Sequence, residues 1–596
     1  YKDMNKFFRY FLIATFSALI FIFSAKIIYK RNIRTHVPVE LRYEQNQSLT
    51  YSEVIAAYIN LDFEYREAKL IPYGATDFGK PLHLFVISST RIFDPVLLRE
   101  MGFRVVLVNN GIHPGEPCGI DASVKLATDI LSKKDSLWTY MDSTVLCIVP
   151  VYNVGGAHNR SPYNRANQNG PQMQGFRANA RNLDLNRDYA PMDSRNAQTF
   201  AHIFHSWKPN LLIDTHTTNG ADYQYVMTLV ATHPQELPPM LGAYYGDVLE
   251  PYLYRQMEMR GYPMIPYVSP MGETPDNGIQ QYLNPPRFTS GYGRMFNTIS
   301  FMTESHMFKD FKDRVLATYQ FIEASLRFTA ENGCKLATLR DEANYYVANQ
   351  KEFVLSWEID TTRAETIPFM GYEAELVDSE LTGGKRLRYN RSKPYTKEIP
   401  YLRHYNPGLT ITAPDYYYIP QAWHEVIHRL KLNNVDFYQF ERDTTLRVEA
   451  YYIEHYETRN RPENGHYLHY NIQLRTEIQE VQFYAGDHIV PMNQPTNQFL
   501  VEMLEPQSSD SYFVWNFFDP ILQRKEYFSP YVFEDFALEM LESNPKLKEE
   551  FEQKRQEDKK FASNSYAQLS FLYQRSPFFE KGFMRYPVFR SVGSNR

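Results

Sequence analysis

Cysteine is scarce in this chain. Its 596 residues include only three, Cys118, Cys147 and Cys334, too few for a disulfide framework. Cys118, in Gly115-Glu116-Pro117-Cys118-Gly119, has no neighbouring base to activate a thiol and reads as a small core residue. An excess of positive charge is also missing. The formal net charge is −6 and the isoelectric point about 6.3, which argues against a nucleic-acid partner. Internal repeats and low-complexity tracts are absent too. What remains is ordinary folded protein, 43% hydrophobic and 22% charged, and too long for one domain; two or three are expected. Aromatic residues are plentiful, with 46 Tyr and 40 Phe. Clusters such as Tyr416-Tyr417-Tyr418 and Tyr451-Tyr452 point first to strand propensity.

The most informative stretch is Val108-Asn109-Asn110-Gly111-Ile112-His113-Pro114-Gly115-Glu116. It follows an apolar run, Phe103 to Val108, that reads as a buried strand, and it precedes helical sequence from Gly119 to Leu131. His113 and Glu116 thus sit on a strand-to-helix loop, where an imidazole and a carboxylate can hold zinc from one side. A second strand-like run, Leu211 to Asp214, leads into Thr215-His216-Thr217-Thr218. A third, Thr298 to Thr303, delivers Glu304. In open α/β sheets such strand ends border the ligand crevice. Three protein ligands with one open position is the pattern of catalytic zinc, and a nearby carboxylate can take a proton from water. Between these pieces, Arg177 to Tyr189 packs three arginines, whose guanidinium forks suit carboxylates and carbonyls.

In these pieces the sequence resembles the zinc carboxypeptidase family, the carboxypeptidase A-like metallopeptidases. The matching motifs are HPGE at His113 to Glu116, DLNRDY at Asp184 to Tyr189, DTHT at Asp214 to Thr217 and FMTE at Phe301 to Glu304, in the family's order over roughly 51 to 325. The resemblance implies one Zn2+ per chain held by His113, Glu116 and His216, with Glu304 as general base. It further implies that Asn186 and Arg187 grip the substrate's terminal carboxylate and that Arg177 polarises the scissile carbonyl, although Arg160, Arg165 and Arg181 lie nearby. Partners would then be peptide or protein C-termini. The family's usual Asn-Pro-Asp-Gly is replaced by Tyr152-Asn153-Val154-Gly155-Gly156, and its mobile tyrosine has two candidates, Tyr282 and Tyr292.

A competing motif is His424-Glu425-Val426-Ile427-His428, a literal H-E-x-x-H. On a helix its core face would be Trp423, Val426, Ile427 and Leu430, turning His424, Glu425 and His428 to solvent, and no third histidine follows. It reads as a chance match. If it were the site, the chain would be an endopeptidase. Two further readings stay open: a related zinc amidase acting on peptidoglycan stem peptides or acylated amino acids, and an inactive peptide- or glycan-binding surface protein.

Lys6 and Arg9 precede an apolar run from Tyr10 to Ala25, so residues 4–25, starting at Met4, are expected to be a signal peptide or an uncleaved signal anchor. Either makes the protein exported: periplasmic, cell-envelope or secreted, touching membrane only through that anchor. The expected fold class is α/β, a mixed twisted sheet with helices on both faces, followed by a β-rich accessory domain. The expected divisions are 44–345 for the zinc carboxypeptidase-like catalytic domain, 350–530 for the β-rich domain and 531–596 for a helical C-terminal segment.

Overall fold

A computed structural model describes residues 38–218 and 220–593. The N-terminal half contributes nine strands: β1 (Ala68–Ala75), β2 (Pro81–Ile87), β3 (Arg104–Asn109), β4 (Thr144–Val149), β5 (Leu211–Thr218), β6 (Met227–Ala231), β7 (Met264–Pro266), β8 (Ile279–Gln280) and β9 (Ile299–His306). All but β8 form one mixed, twisted sheet in the order β1-β2-β4-β3-β5-β9-β6-β7. Strands β4, β3, β5 and β9 run parallel at its centre, with antiparallel neighbours on either side. Strands β3 and β4 are almost continuous apolar runs, as strands covered on both faces are, while β5 and β9 start apolar and turn polar toward the strand ends that carry His216 and Glu304.

Alternation along β3 divides the core. Val106 and Val108 face a layer built from α1 (Tyr51–Glu64), α2 (Cys118–Leu131) and a long helix, Phe311–Asn349. Val105 and Leu107 face the opposite layer, which includes α3 (Arg195–Trp207). Helix α1 starts at Tyr51 because Thr50 and Glu53 form a reciprocal capping box. The long helix, α4, is continuous from Phe311 to Asn349. Gly333 lies within it and lets Arg104 approach, the arginine Nε donating to the Gly333 carbonyl at 3.0 Å. Cys118 is fully buried in the first layer, as expected of a core residue.

The second half is β-rich. A long hairpin, β10 (Ala364–Asp378) and β11 (Lys385–Leu402), joins the first half where Tyr401 and Leu402 pair with Ile279 and Gln280 of β8. A six-stranded sheet contains a second hairpin, β12 (Thr444–Thr458) and β13 (His469–Phe483). The hydrophobic core behind Val105 and Leu107 runs on into Phe353, Tyr417, Val426, Phe499 and Phe513 of this half. Among the described residues no helix is long and apolar enough to cross a membrane. The expected signal or anchor at 4–25 lies outside the described residues.

One buried ion-pair cluster also spans the halves. Arg294 places Nη2 2.8 Å from Glu502 and Nε 3.0 Å from Glu236, all three side chains nearly inaccessible. Replacing the arginine strands two buried carboxylates. Arg294→Met is therefore expected to cost about 3–5 kcal/mol, read as a lower urea midpoint; an unchanged midpoint would mean this cluster contributes nothing to joining the halves.

Candidate metal centre

The sheet register assembles the site. In the β5–β9 pairing His216 lies directly opposite Glu304, and in the β3–β5 pairing Asn109 lies opposite Asp214. The loop leaving β3 brings His113 and Glu116 to the same strand ends, with a tight turn in which Glu116 N–H donates to the His113 carbonyl at 2.8 Å. His113, Glu116 and His216 are each 2% exposed, and each offers one ligand atom within 4.8 Å of the others.

The finer geometry suits a metal ion. His113 Nδ1 and His216 Nδ1 each lie 3.3 Å from a Glu116 carboxylate oxygen. Two ligands on a zinc tetrahedron with bonds of ~2.0–2.1 Å are about 3.3 Å apart. His113 Nδ1 is buried and has no hydrogen-bond partner, an orphan that a cation would satisfy. The outer nitrogens are held by carboxylates: His113 Nε2 is 2.9 Å from Asp184 Oδ1, and His216 Nε2 is 3.0 Å from Asp214 Oδ2. Such partners fix the tautomer and aim Nδ1 at the metal. Glu116 also accepts from Thr217 N–H at 2.9 Å and from Arg165 Nη1 at 2.7 Å. Burial opposes its ionisation, yet Arg165 and His113 hold its carboxyl well below the usual range. His216 is displaced the other way. Burial lowers it, but Asp214 and Glu116 together raise it well above the ordinary imidazole value.

The remaining expected residues surround this group. Glu304 is half-buried. Burial pushes its carboxyl up to about 8, His216 opposing the rise and Glu116 adding to it. Of the arginines, Arg160 is spent on backbone carbonyls of Ser48, Leu49 and Met173, and Arg181 on the Asp193 carbonyl. Arg165 and Arg177 reach the centre. Arg165 is committed to Glu116 and to the Thr217 carbonyl. Arg177 pairs with Asp184 at 2.9 Å and keeps Nη1 3.7 Å from Glu116, its side chain exposed. Asn153, in the segment that departs from the family pattern, donates to the Arg177 carbonyl at 2.9 Å and caps the short helix Val154–His158. Asn186 is buried with its Oδ1 unpartnered. Arg187 stacks over Phe288 at 4.3 Å.

Two expectations resolve here. Tyr292 is corrected as a mobile tyrosine: it is fully buried, its hydroxyl donating to Asn433 at 2.8 Å and lying 3.0 Å from His205. Tyr282 is half-buried in the β8–β9 connection. Its hydroxyl is pushed up by burial and by Glu304, with Arg187 pulling the other way, so it lies in the field of both. The helix His424–Leu432 (α5) buries Val426, Ile427 and Leu430 and leaves His424, Glu425 and His428 exposed. No metal-binding group forms there among the described residues. Sequence reasoning did not single out Asp184, Asp214 or Arg165 for their roles. Asp214 was within reach, since residues i and i+2 of a strand share a face.

Comparison with known proteins bears on this arrangement. The sequence profile of the zinc carboxypeptidase family matches residues 58–217, a span that holds all three ligands. That family uses zinc, and His113, Glu116 and His216 are the group that fits the ion. Glu304 lies beyond the matched span. No curated protein matches the sequence. Among solved structures, a provisionally named carboxypeptidase from Burkholderia mallei is 17% identical, with 46% of this chain and 66% of that one covered and a TM-score of 0.34. The metallo-carboxypeptidase from Burkholderia cenocepacia is 16% identical over 48% and 70% of the two chains, with a TM-score of 0.35. Carboxypeptidase A from Helicoverpa armigera is 14% identical over 50% and 77%, with a TM-score of 0.37. The match thus spans just under two thirds of the first of these.

The orienting carboxylates give a direct test. Asp214→Asn keeps the shape but loses the acceptor charge behind His216, and zinc affinity should fall about 10–100-fold. Competition with a chromogenic chelator reads this; undiminished affinity would sink the role given to Asp214.

Proposed function

We propose that the chain is a zinc-dependent metallocarboxypeptidase that removes residues from peptide C-termini, acting outside the cytoplasm after export directed by residues 4–25. The observation that carries this reading is the convergence of two histidines and a glutamate, each histidine backed by a carboxylate, with His216 directly across the sheet register from Glu304.

Bound to His113 Nδ1, Glu116 and His216 Nδ1, zinc supplies a Lewis acid and lowers the pKa of water from ~15.7 toward ~7. The chain's own groups do the rest. Glu304, with its proton affinity raised by burial, accepts a proton from water and returns it to the leaving amine. Arg177 offers an exposed, permanently charged guanidinium to the carbonyl oxygen as negative charge develops there. Arg187, fixed over Phe288, and the unpartnered Asn186 amide oxygen's side chain bind the terminal carboxylate and main chain of the last residue. Tyr282, half-buried and electrostatically sensitive to both Glu304 and Arg187, is the tyrosine that closes on bound substrate. With the terminal carboxylate anchored, only the last peptide bond comes to the reacting groups, and exopeptidase action follows.

Paired peptides identical except for a free or amidated C-terminus test the whole scheme by mass spectrometry. Stepwise shortening of the free peptide alone is the expected result. Glu304→Gln should retain zinc by metal analysis yet lose at least about 10²–10⁴ in turnover. Internal cuts in both peptides, or full activity of Glu304→Gln, would overturn the scheme.

A further inference from the structure

Strands β12 and β13 are joined by a connection that contains Glu463-Asn464-Gly465-His466. Glu463 and His466 exchange backbone hydrogen bonds of 2.8 and 2.9 Å, and Asn464 and Gly465 both have positive φ, 48° and 90°. This is the tight hairpin turn that Asn-Gly favours, and it is pinned against the N-terminal half. The Asn464 side chain takes both backbone groups of Asp184: Oδ1 accepts from Asp184 N–H and Nδ2 donates to the Asp184 carbonyl, each at 2.9 Å. His466 Nε2 lies 2.6 Å from Asp193, which also accepts from Arg429 at 2.9 Å. Between these fixed points Glu463 Oε1 sits 3.3 Å from Arg187 Nε. A carboxylate from the β-rich half therefore rests on the guanidinium of the carboxylate anchor.

We propose that Glu463 is a specificity-determining residue of the terminal-carboxylate site, an internal carboxylate on Arg187 with which the substrate's own carboxylate competes. The proposal rests on the reading of Arg187 as that anchor. The ion pair is a weak one, because its side chains keep 24% and 39% of their exposure and water screens such pairs. It is displaced rather than locked. Its competition raises the concentration of free C-terminus needed for occupancy, while ligands lacking that carboxylate never engage it. The rigid turn keeps Glu463 in place in the free protein, so the competition is built in.

The test uses the full, zinc-loaded chain carrying Glu304→Gln, so that bound peptide survives, titrated calorimetrically with an N-acyl dipeptide and with its C-terminal amide. Adding Glu463→Gln is expected to tighten binding of the free acid about two- to fivefold and to leave the amide unchanged, which also shows that the fold is intact. With Arg187→Met as background, Glu463→Gln should change neither. In the chain with Glu304 intact, KM for the free peptide should fall by the same factor at constant kcat. Unchanged or weaker acid binding, with the acid still preferred over the amide, would overturn the role of Glu463 alone. Loss of any acid preference in both proteins would mean that the anchor reading has failed and the proposal with it.

Discussion

The hydrogen bond between Asp184 and His113 is the contact on which most of the arrangement depends. Asp184 is a hub: one carboxylate oxygen takes His113 Nε2 and the Asn186 N–H, while the other takes Arg177. Burial opposes its charge, but His113 and Arg177 hold the carboxyl well below the usual range. Its backbone is grasped at both groups by Asn464. One side chain thereby orients a metal ligand, restrains Arg177 and starts the turn that carries Asn186 and Arg187. Moving Asp184 by an ångström would move all three at once.

Electrostatics explains why so many like charges can share one place. Glu116, Asp184, Asp214 and Glu304 converge on the strand ends, where Arg165 and Arg177 pair with two of them, Glu116 and Asp184. A buried cluster of carboxylates is costly until it is balanced, and a divalent cation held by His113, Glu116 and His216 would add to that balance. The register enforces the convergence. The parallel pairing of β5 with β9 sets His216 beside Glu304, and β3 beside β5 brings the His113 loop to the same edge. Orientation is then supplied by Asn153 and Asp184 from the loops and by Asp214 and Thr217 from β5 itself.

What could be read from the sequence follows from how local each signal is. His113 and Glu116 lie three positions apart after an apolar run, so a strand and a ligand loop were legible together. The H-E-x-x-H segment was equally legible as a decoy, because Val426, Ile427 and Leu430 claim the buried face of α5 and leave the would-be ligands in solvent. Tyr282 and Tyr292 could not be separated, since their ten-residue spacing says nothing about which one turns inward. Burial decides it: Tyr292 belongs to the aromatic core with Phe204 and Phe296. The Asn464-Gly465 dipeptide announces a turn in the sequence, but its target, Asp184, is 280 positions away. No local pattern encodes such a distance.

The same long-range contacts bear on what the β-rich half is. A separable module closes its own core and meets its neighbour through a polar seam. The C-terminal helices come closest to that description, with Phe533, Leu547, Phe551 and Phe561 packed into a small cluster of their own. The strands between them and the first half behave differently. Their apolar residues continue the layer behind β3, from Leu107 and Phe204 through Tyr417 and Leu430 to Phe499 and Phe513. Strand β11 extends β8 shortly before Tyr282, and the β12–β13 turn reaches Asp184. Two hairpins of this half therefore abut segments that carry proposed substrate-binding groups. A region fused through its core and inserted at those points is part of the surroundings of the site, which sets it apart from a separable module with a face of its own.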